Sequence, residues 1–241
     1  MAIYHLEGKI ISRSQGRSSV AAAAYRAAEK MVDERTGLTH DFIKKEPEVF
    51  HAEILLPEGA PQWMANRSEL WNFVEKIEKR KDAQLAREFN IALPKELTID
   101  QNNVLAREFV QHEFVAKGMV ADLCIHSGHK DGKKQPHMRV MLSLREVTTE
   151  GFGKKVREWN DKKLIHQWRE AWAERCNTHL ALHHHDIRID HRTLEAQGIN
   201  LEPQTKIGAK AAFRMARFEE HQRIAEDNGA RIFNDPKIAL H

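Results

Sequence analysis

The sequence predicts an α+β domain built on a mainly antiparallel sheet, flanked by helices and followed by a C-terminal helical extension. Two observations carry that expectation. Short strand-like stretches alternate with segments of helical period, and the strongest strand candidates follow one another in a hairpin-like arrangement. No internal repeat or low-complexity linker divides the chain, so a domain over residues 1–208 and an extension over 209–241 are expected.

The elements follow in order. IYHLEGKIIS, residues 3–12, is the first strand candidate. Ser18 and Ser19 suit the cap of a helix that runs through an alanine tract to about Met31, alanine being the best helix former. HAEILLP, 51–57, reads as a strand stopped by Pro57. From Ser68 to about Arg87, Leu70, Phe73, Val74 and Ile77 recur at the spacing of one helix face. REFNIALP, 87–94, alternates and ends at a proline. Thr98 and Gln101 form a capping box that opens a helix carrying Leu105, Phe109 and Val110, with Gly118 suited to close it. MVADLCIH, 119–126, and HMRVMLSLREV, 137–147, are the strongest strands, joined by the polar loop SGHKDGKKQP. Leu164, Trp168 and Trp172 line a further helix, and DIRID, 186–190, is a candidate last strand. Beyond residue 203 the chain reads as charged helix, with Lys210, Arg214 and Arg217 toward one side.

The 241 residues are 41% hydrophobic and 30% charged, which fits a soluble globular chain. No apolar run approaches the ~20 residues that span a bilayer. The N-terminus MAIYHLEGK lacks a signal-peptide layout, and Cys124 and Cys176 make no disulfide framework. Membrane insertion is therefore not expected, and a reducing cytoplasm is. Net charge is +3 with 15 histidines, but the cations cluster. Arg13 and Arg17 form one group, Lys130, Lys133 and Lys134 a second, and Lys154, Lys155 and Arg157 a third. Such patches suit a phosphate-rich partner, or are solvated loops.

Two constellations point to chemistry. Tyr25, one of two tyrosines, stands amid alanines, where it either packs or is presented to a ligand. On the strand 119–126, Asp122, Cys124 and His126 share a face, as His137 and Arg139 do on the next strand. Were the strands neighbours, His126 and His137 would meet, a partial metal site with Asp122 placed to orient an imidazole; in a histidine-rich chain the pairing also arises by chance. The run His183–His185 reads as surface or loop, because consecutive residues of an extended chain point apart.

The segments GRSSVAAAAYRA, KRKDAQLAREFNIALP, KGMVADLCIH, PHMRVMLSLRE, GFGKKVREWN and IRIDHRTLEAQGINLEPQTKIG, in this order, resemble the N-terminal relaxase domain of the MobA/MobL family, MobQ class, over most of residues 1–208. The resemblance implies an antiparallel sheet of about five strands flanked by helices, of the HUH relaxase type. It implies a metal-dependent DNA transesterase that nicks one strand at a plasmid's origin of transfer. Tyr25 falls on the family's nucleophile, whose attack would leave a free 3′ hydroxyl and a 5′-phosphotyrosyl bond for later religation. Glu88 falls in the family's AREF segment, as an acid acting on the tyrosine proton or as a ligand; a salt bridge to Arg87 or Lys81 would explain it equally.

The family's metal histidines fall on His126 and His137, but its third falls on Arg139, which has no lone pair to give a cation, and a further family histidine falls on Thr205. Three readings follow. A divalent ion, Mg²⁺ or Mn²⁺, is held by the two histidines with Glu88, Asp122 or His129; or Arg139 contacts the scissile phosphate itself; or the domain binds DNA and cleaves it weakly. A phosphodiesterase that uses water is a further class. The implied partners are single-stranded DNA and the origin-of-transfer hairpin, with relaxosome accessory and coupling proteins, in a bacterial cytoplasm. Arg13, Arg17, Arg26, Lys154, Lys155 and Arg157 would follow phosphates, and Trp159 would stack on a base or belong to the core. The charged segment 209–241 reads as the start of a longer protein.

Overall fold

The structure, a computed structural model, describes residues 4–127, 135–203, 220 and 222–231. Contacts divide the chain into Met1–Asp190 and His191–His241. In the first unit the order is β1 (Leu6–Ser12), α1 (Ser19–Ala27), β2 (Lys30–Asp33), β3 (Leu38–Asp41), β4 (Val49–Leu55), α2 (Arg67–Ile77), β5 (Gln84–Ala92), α3 (Ile99–Glu113), β6 (Ala121–His126), β7 (His137–Leu142), β8 (Arg145–Thr148), β9 (Gly151–Lys155) and α4 (Lys162–Leu182). Five strands form one sheet in the order β1-β5-β7-β6-β4, every pair antiparallel. The expected α+β architecture, with helices flanking a five-stranded sheet, is the observed one.

Strand periodicity splits the residues between two faces. On one face Leu6, Phe89, Ile91, Leu123, Ile125, Met138, Val140 and Leu142 join Leu105, Phe109 and Phe114 with Trp168 and Trp172 of α4 in the larger core. Its centre is aromatic: Phe89 stacks on Phe114 at 5.3 Å, and Phe109 meets Trp172 edge-on at 5.0 Å. Gly8 sits across from Phe89, where a Cβ would come within 2.7 Å of the ring, so this strand position takes no side chain.

The opposite face is divided along its length. At one end Ile11, Ala86 and Met141 pack with the alanines of α1 and with Leu70, Trp71 and Val74 of α2. At the other end the register sets Glu88, Asn90, Cys124, His126, His137 and Arg139 side by side. An apolar half anchors the helices and a polar half is left for chemistry.

Local signals account for most of the helices. Ser18 caps α1, accepting from the Ala21 amide, and Thr98 and Gln101 close a reciprocal capping box on α3. The expected helix to Met31 stops at Ala27, because Ala28 turns left-handed at φ 56°. The chain then enters the β2–β3 hairpin, whose turn is tied by the Thr36 and Gly37 amides donating to the Asp33 carbonyl. Its four-residue strands are too short to show a period. The helix expected to reach Arg87 ends at Ile77, and β5 begins at Gln84. The long strand 137–147 ends at Leu142, and its remainder pairs with Gly151–Lys155 as a separate hairpin. Gly118, at φ 91°, closes a short 3-10 turn beyond α3. Residues 186–190 form no strand: the Asn177 side chain serves both the Ile189 amide and its carbonyl, each at 2.8 Å, in place of a sheet partner.

The second unit is helical at 220 and 222–231, with Asn228 accepting from the Glu202 amide at 2.8 Å. Lys210, Arg214, Arg217 and Thr205 lie outside the described residues, as do His129, Lys130, Lys133 and Lys134.

Candidate active site

Helix α1 lies against the sheet because six of its nine residues are Ala, Ser or Val on a buried face. Tyr25 is left half-buried on the edge of that face. Its hydroxyl oxygen accepts from Lys45 Nζ at 3.2 Å, and the same ammonium stands 4.3 Å from the ring centroid. The Arg139 guanidinium lies 5.4 Å from the ring, and Phe42 meets it edge-on at 5.2 Å. The Lys45 hydrogen bond holds the phenol below its ordinary range; burial opposes this, and the charges of Lys45 and Arg139 add to it. Tyr4, the other tyrosine, packs on the larger core, and burial pushes its phenol well above the usual value. Their surroundings move the two phenols in opposite directions.

Tyr25 opens onto a cleft of about 480 Å³ lined also by Gly16, Arg17, Ser18, Arg26, Glu88, Asn90 and Arg139. Glu88 lies in this cleft with both oxygens occupied: Arg17 Nη1 donates to Oε1 at 2.8 Å, and Arg26 is ion-paired to Oε2. Its partners are therefore neither Arg87 nor Lys81, and its lone pairs face guanidinium groups rather than a metal or the phenol. Burial lowers Arg26 to about 10, with the positive charges of Arg139 and Arg17 contributing. Arg139 Nε and Asn90 Oδ1 are buried without a hydrogen-bond partner among the described residues. One buried carboxylate thus stands among three guanidiniums, leaving a cationic cleft floor with unused donors.

Beside the cleft floor the two histidines meet as the spacing foretold. His126 and His137 are cross-strand partners, their rings parallel within 7° at 5.0 Å. Burial drives His126 down to about 3, with His137, Arg139 and Lys45 adding like charge, so the ring is neutral at physiological pH. His126 Nε2 is buried and unpartnered among the described residues, the state a metal ligand requires. His137 Nδ1 faces the Gln135 carbonyl at 3.1 Å, which favours a proton on that nitrogen and a lone pair on Nε2.

A third donor is not found among the described residues. Asp122 does not orient an imidazole: it sits four residues along the strand, where Arg67 Nε donates to both oxygens at 3.0 and 3.1 Å and Trp71 Nε1 donates at 2.8 Å. It pins α2 to the sheet. The donor set fits a divalent ion as a pair of imidazoles, short of a full coordination shell.

The expected DNA-following residues separate. Arg17 and Arg26 line the cleft. Arg13 does not: it braces the end of α2, donating to Glu75 Oε2 at 2.6 Å and to the Arg80 carbonyl at 2.9 Å. Lys155 is bound to Glu78 at 2.9 Å and to the Gln84 carbonyl at 2.7 Å, while Lys154 and Arg157 are exposed. Trp159 packs, partly buried, on the larger core, which is the core alternative rather than a presented stacking surface. Sequence reasoning missed Lys45. It lies in a short 3-10 stretch, Ile43–Glu48, whose sequence carries no period. It also gave no role to Asn90.

A sequence model of the MobA/MobL family matches residues 17–217. This chain belongs to the MobA/MobL family. A conjugal transfer protein TraA of Rhizobium radiobacter is 41% identical over 283 aligned residues, covering 100% of the chain and 25% of that relative. Mobilization protein A of Escherichia coli is 35% identical, covering 86% of the chain and 30% of the relative. The chain thus spans a quarter of the length of the TraA relative. Among solved structures, one from work on the molecular basis of vancomycin resistance transfer in Staphylococcus aureus is 32% identical, with TM-score 0.73 over 80% of this chain and 100% of that one. The conjugative relaxase TrwC in complex with oriT DNA has TM-score 0.52 at 10% identity over 93% of this chain and 99% of that one, a likeness of fold alone. TrwC has also been solved in a metal-bound complex with that DNA.

Proposed function

We propose that this chain is a relaxase domain that nicks origin-of-transfer DNA through Tyr25. The observation that carries the reading is the phenol itself: hydrogen-bonded by an ammonium, faced by a guanidinium, and opening onto a cleft floored with cations. Family membership and the relaxase fold support it.

The phenol loses its proton to solvent, and the phenolate oxygen attacks the scissile phosphorus. A P–Oη bond forms, the P–O3′ bond breaks, and the departing 3′ oxygen takes up a proton. The strand is held as a 5′-phosphotyrosyl ester whose energy is kept for religation. Negative charge builds on the non-bridging oxygens, and Arg139, whose Nε is unused, is the group placed to meet it. Arg26 and Arg17 attract the neighbouring phosphates, with Glu88 fixing both guanidiniums in place.

His126 and His137 would hold a divalent ion, which when bound would polarise the phosphate as a Lewis acid. An imidazole pair suits Mn²⁺ better than Mg²⁺, which prefers oxygen ligands. The substrate is single-stranded DNA beside a hairpin, and accessory and coupling proteins are its partners in transfer. Among the described residues no helix is long and apolar enough to cross a membrane.

The test is a denaturing gel of the protein with a labelled single-stranded oligonucleotide spanning its transfer origin, with Mn²⁺, Mg²⁺ or EDTA. The expected result is a protein-linked band that is absent with Tyr25→Phe. Arg139 at the third histidine position favours a second reading, a DNA-binding module with little chemistry. Salt-sensitive binding without a band in any metal would establish that one instead.

A further inference from the structure

We infer that Lys45 is a catalytic residue of this site: its ammonium stabilises the ionised Tyr25 oxygen, both when it attacks and when it is the leaving group of religation. The inference rests on the reading of Tyr25 as the nucleophile.

The position is built, not incidental. Lys45 belongs to the 3-10 stretch Ile43–Glu48, which contains Pro47 and is tied at both ends. At its start the Phe42 amide donates to the Glu29 carbonyl, two residues past α1, at 3.2 Å. At its end the Glu48 carbonyl accepts from the Ser127 amide, the residue after His126, at 3.2 Å. The stretch therefore links the nucleophile's helix to the strand of the histidine pair. Within it the Lys45 side chain is only 30% exposed, with Glu48 at 3.6 Å. A solvated lysine would pair with Glu48 alone. This one also reaches the phenol oxygen and lies against the ring, a partly buried pose from which the ammonium can hold a negative charge on that oxygen. Lysine also suits the place, as a compact point charge on a flexible stem that can follow the oxygen from phenolate to ester.

The two cations facing the phenol are Lys45, from this stretch, and Arg139, from β7. The other titratable and charged groups on elements packed against α1 are Lys30 and Asp33 on β2, His40 and Asp41 on β3, His51 and Glu53 on β4, Asp122, Cys124 and His126 on β6, and Arg67, Glu69, Glu75 and Lys76 on α2, with Glu88 of β5 ion-paired to Arg26. The titration therefore has to be read at Tyr25 directly. The composition allows it: the chain has two tyrosines, and burial keeps Tyr4 out of the accessible range.

The experiment is an ultraviolet titration of phenolate absorbance in the DNA-free protein, for wild type, Lys45→Met, Lys45→Arg and Tyr25→Phe, alongside pH profiles of adduct formation. Tyr25→Phe should abolish the accessible transition and so assign it. Lys45→Met should move that transition to higher pH and slow adduct formation at pH 7 on the order of 10²-fold, the loss typical of one electrostatic donor, with the deficit shrinking as pH rises. Lys45→Arg should keep most of the rate and of the lowered transition. A phenol transition unmoved in Lys45→Met, or a deficit that is the same at every pH, overturns the inference while leaving Tyr25 as nucleophile. Absence of adduct in the wild type would instead remove the proposed reaction, and the titration would still decide whether Lys45 acts on the phenol. If Lys45→Met does not fold by circular dichroism, Lys45→Gln takes its place.

Discussion

Replacing Glu88 by glutamine separates two roles for that carboxylate, anchor of the arginines or participant in proton transfer. The side chain is 13% exposed and holds Arg26, 8% exposed, through Oε2 and Arg17, 33% exposed, through Oε1. The amide keeps the shape and loses the charge, so two cations that already repel one another and Arg139 lose their counter-ion. Removing one partner of a buried pair costs about 3–5 kcal/mol. The Arg17 arm is a third exposed and adds under about 1 kcal/mol. Roughly 3–5 kcal/mol is therefore expected, and at about 2–4 °C per kcal/mol for a chain of this size the melting temperature should fall by roughly 6–20 °C. A single-stranded oligonucleotide supplies phosphates to the same guanidiniums, so it should raise the melting temperature of Glu88→Gln more than that of the wild type. Thermal denaturation with and without oligonucleotide, at fixed salt, measures both effects. An unchanged melting temperature together with lost adduct formation would refute the anchoring role and return Glu88 to the chemistry.

Three further outcomes are expected. Asp122→Asn leaves Arg67, 9% exposed, without its buried carboxylate and should cost about 3–5 kcal/mol by urea unfolding; the metal affinity of the folded protein, by calorimetry, should not change. His126 falls from 6.5 to about 3 on folding. Because its folded-state value is depressed, the unfolded chain binds the proton more tightly, so its contribution to stability is complete above 6.5 and drains away as pH drops toward 3. Between pH 7.5 and 4.5 the wild type should lose about 2–3 kcal/mol more than His126→Asn, and equal losses in the two would contradict this. Arg139→His puts an imidazole beside the histidine pair and removes a cation. Mn²⁺ should bind more tightly by well over the roughly tenfold that an outer-shell partner commands; unchanged binding would mean that position 139 does not share the histidines' site.

Much of this was legible from residue periods. The period of two in β6 and β7 put His126 and His137 on one strand face each, and the pairing then depended on the strands being neighbours, as they are; the caps at Ser18 and Thr98 fixed where α1 and α3 begin. What escaped was set by contacts remote in sequence. Asp122 shares a strand face with His126, yet one side chain on α2, Arg67, and the indole of Trp71 take its oxygens. Arg13, close in sequence to the cleft residue Arg17, turns instead to the carboxylate and carbonyls at the end of α2. Lys45 reaches Tyr25 across 20 residues through a stretch with neither period nor motif. Spacing within an element gives the face a residue occupies; the partner on that face is chosen by another element.

The cleft also bears on what Arg139 does in place of a histidine. Arg139 pairs with Cys124 on one side and Asn90 on the other, one step in from the His126–His137 pair. A cation fixed there repels a divalent ion and attracts a phosphate, so the two ways of stabilising the transition state compete for the same few ångströms. The fixed positive charges now sit on the Tyr25 side of the cleft: Arg139 and Lys45 at the phenol, with Arg26 and Arg17 held by Glu88. At the edge of this group His126 is held neutral by burial, and no third donor joins the histidine pair among the described residues. On the proposed reading, charge work that a third imidazole would hand to a metal falls to the protein's own guanidinium. An enzyme so arranged should depend on divalent ions less steeply than one with three histidines, and the ratio of adduct formed in Mn²⁺ to that in EDTA, compared between the wild type and Arg139→His, measures the difference.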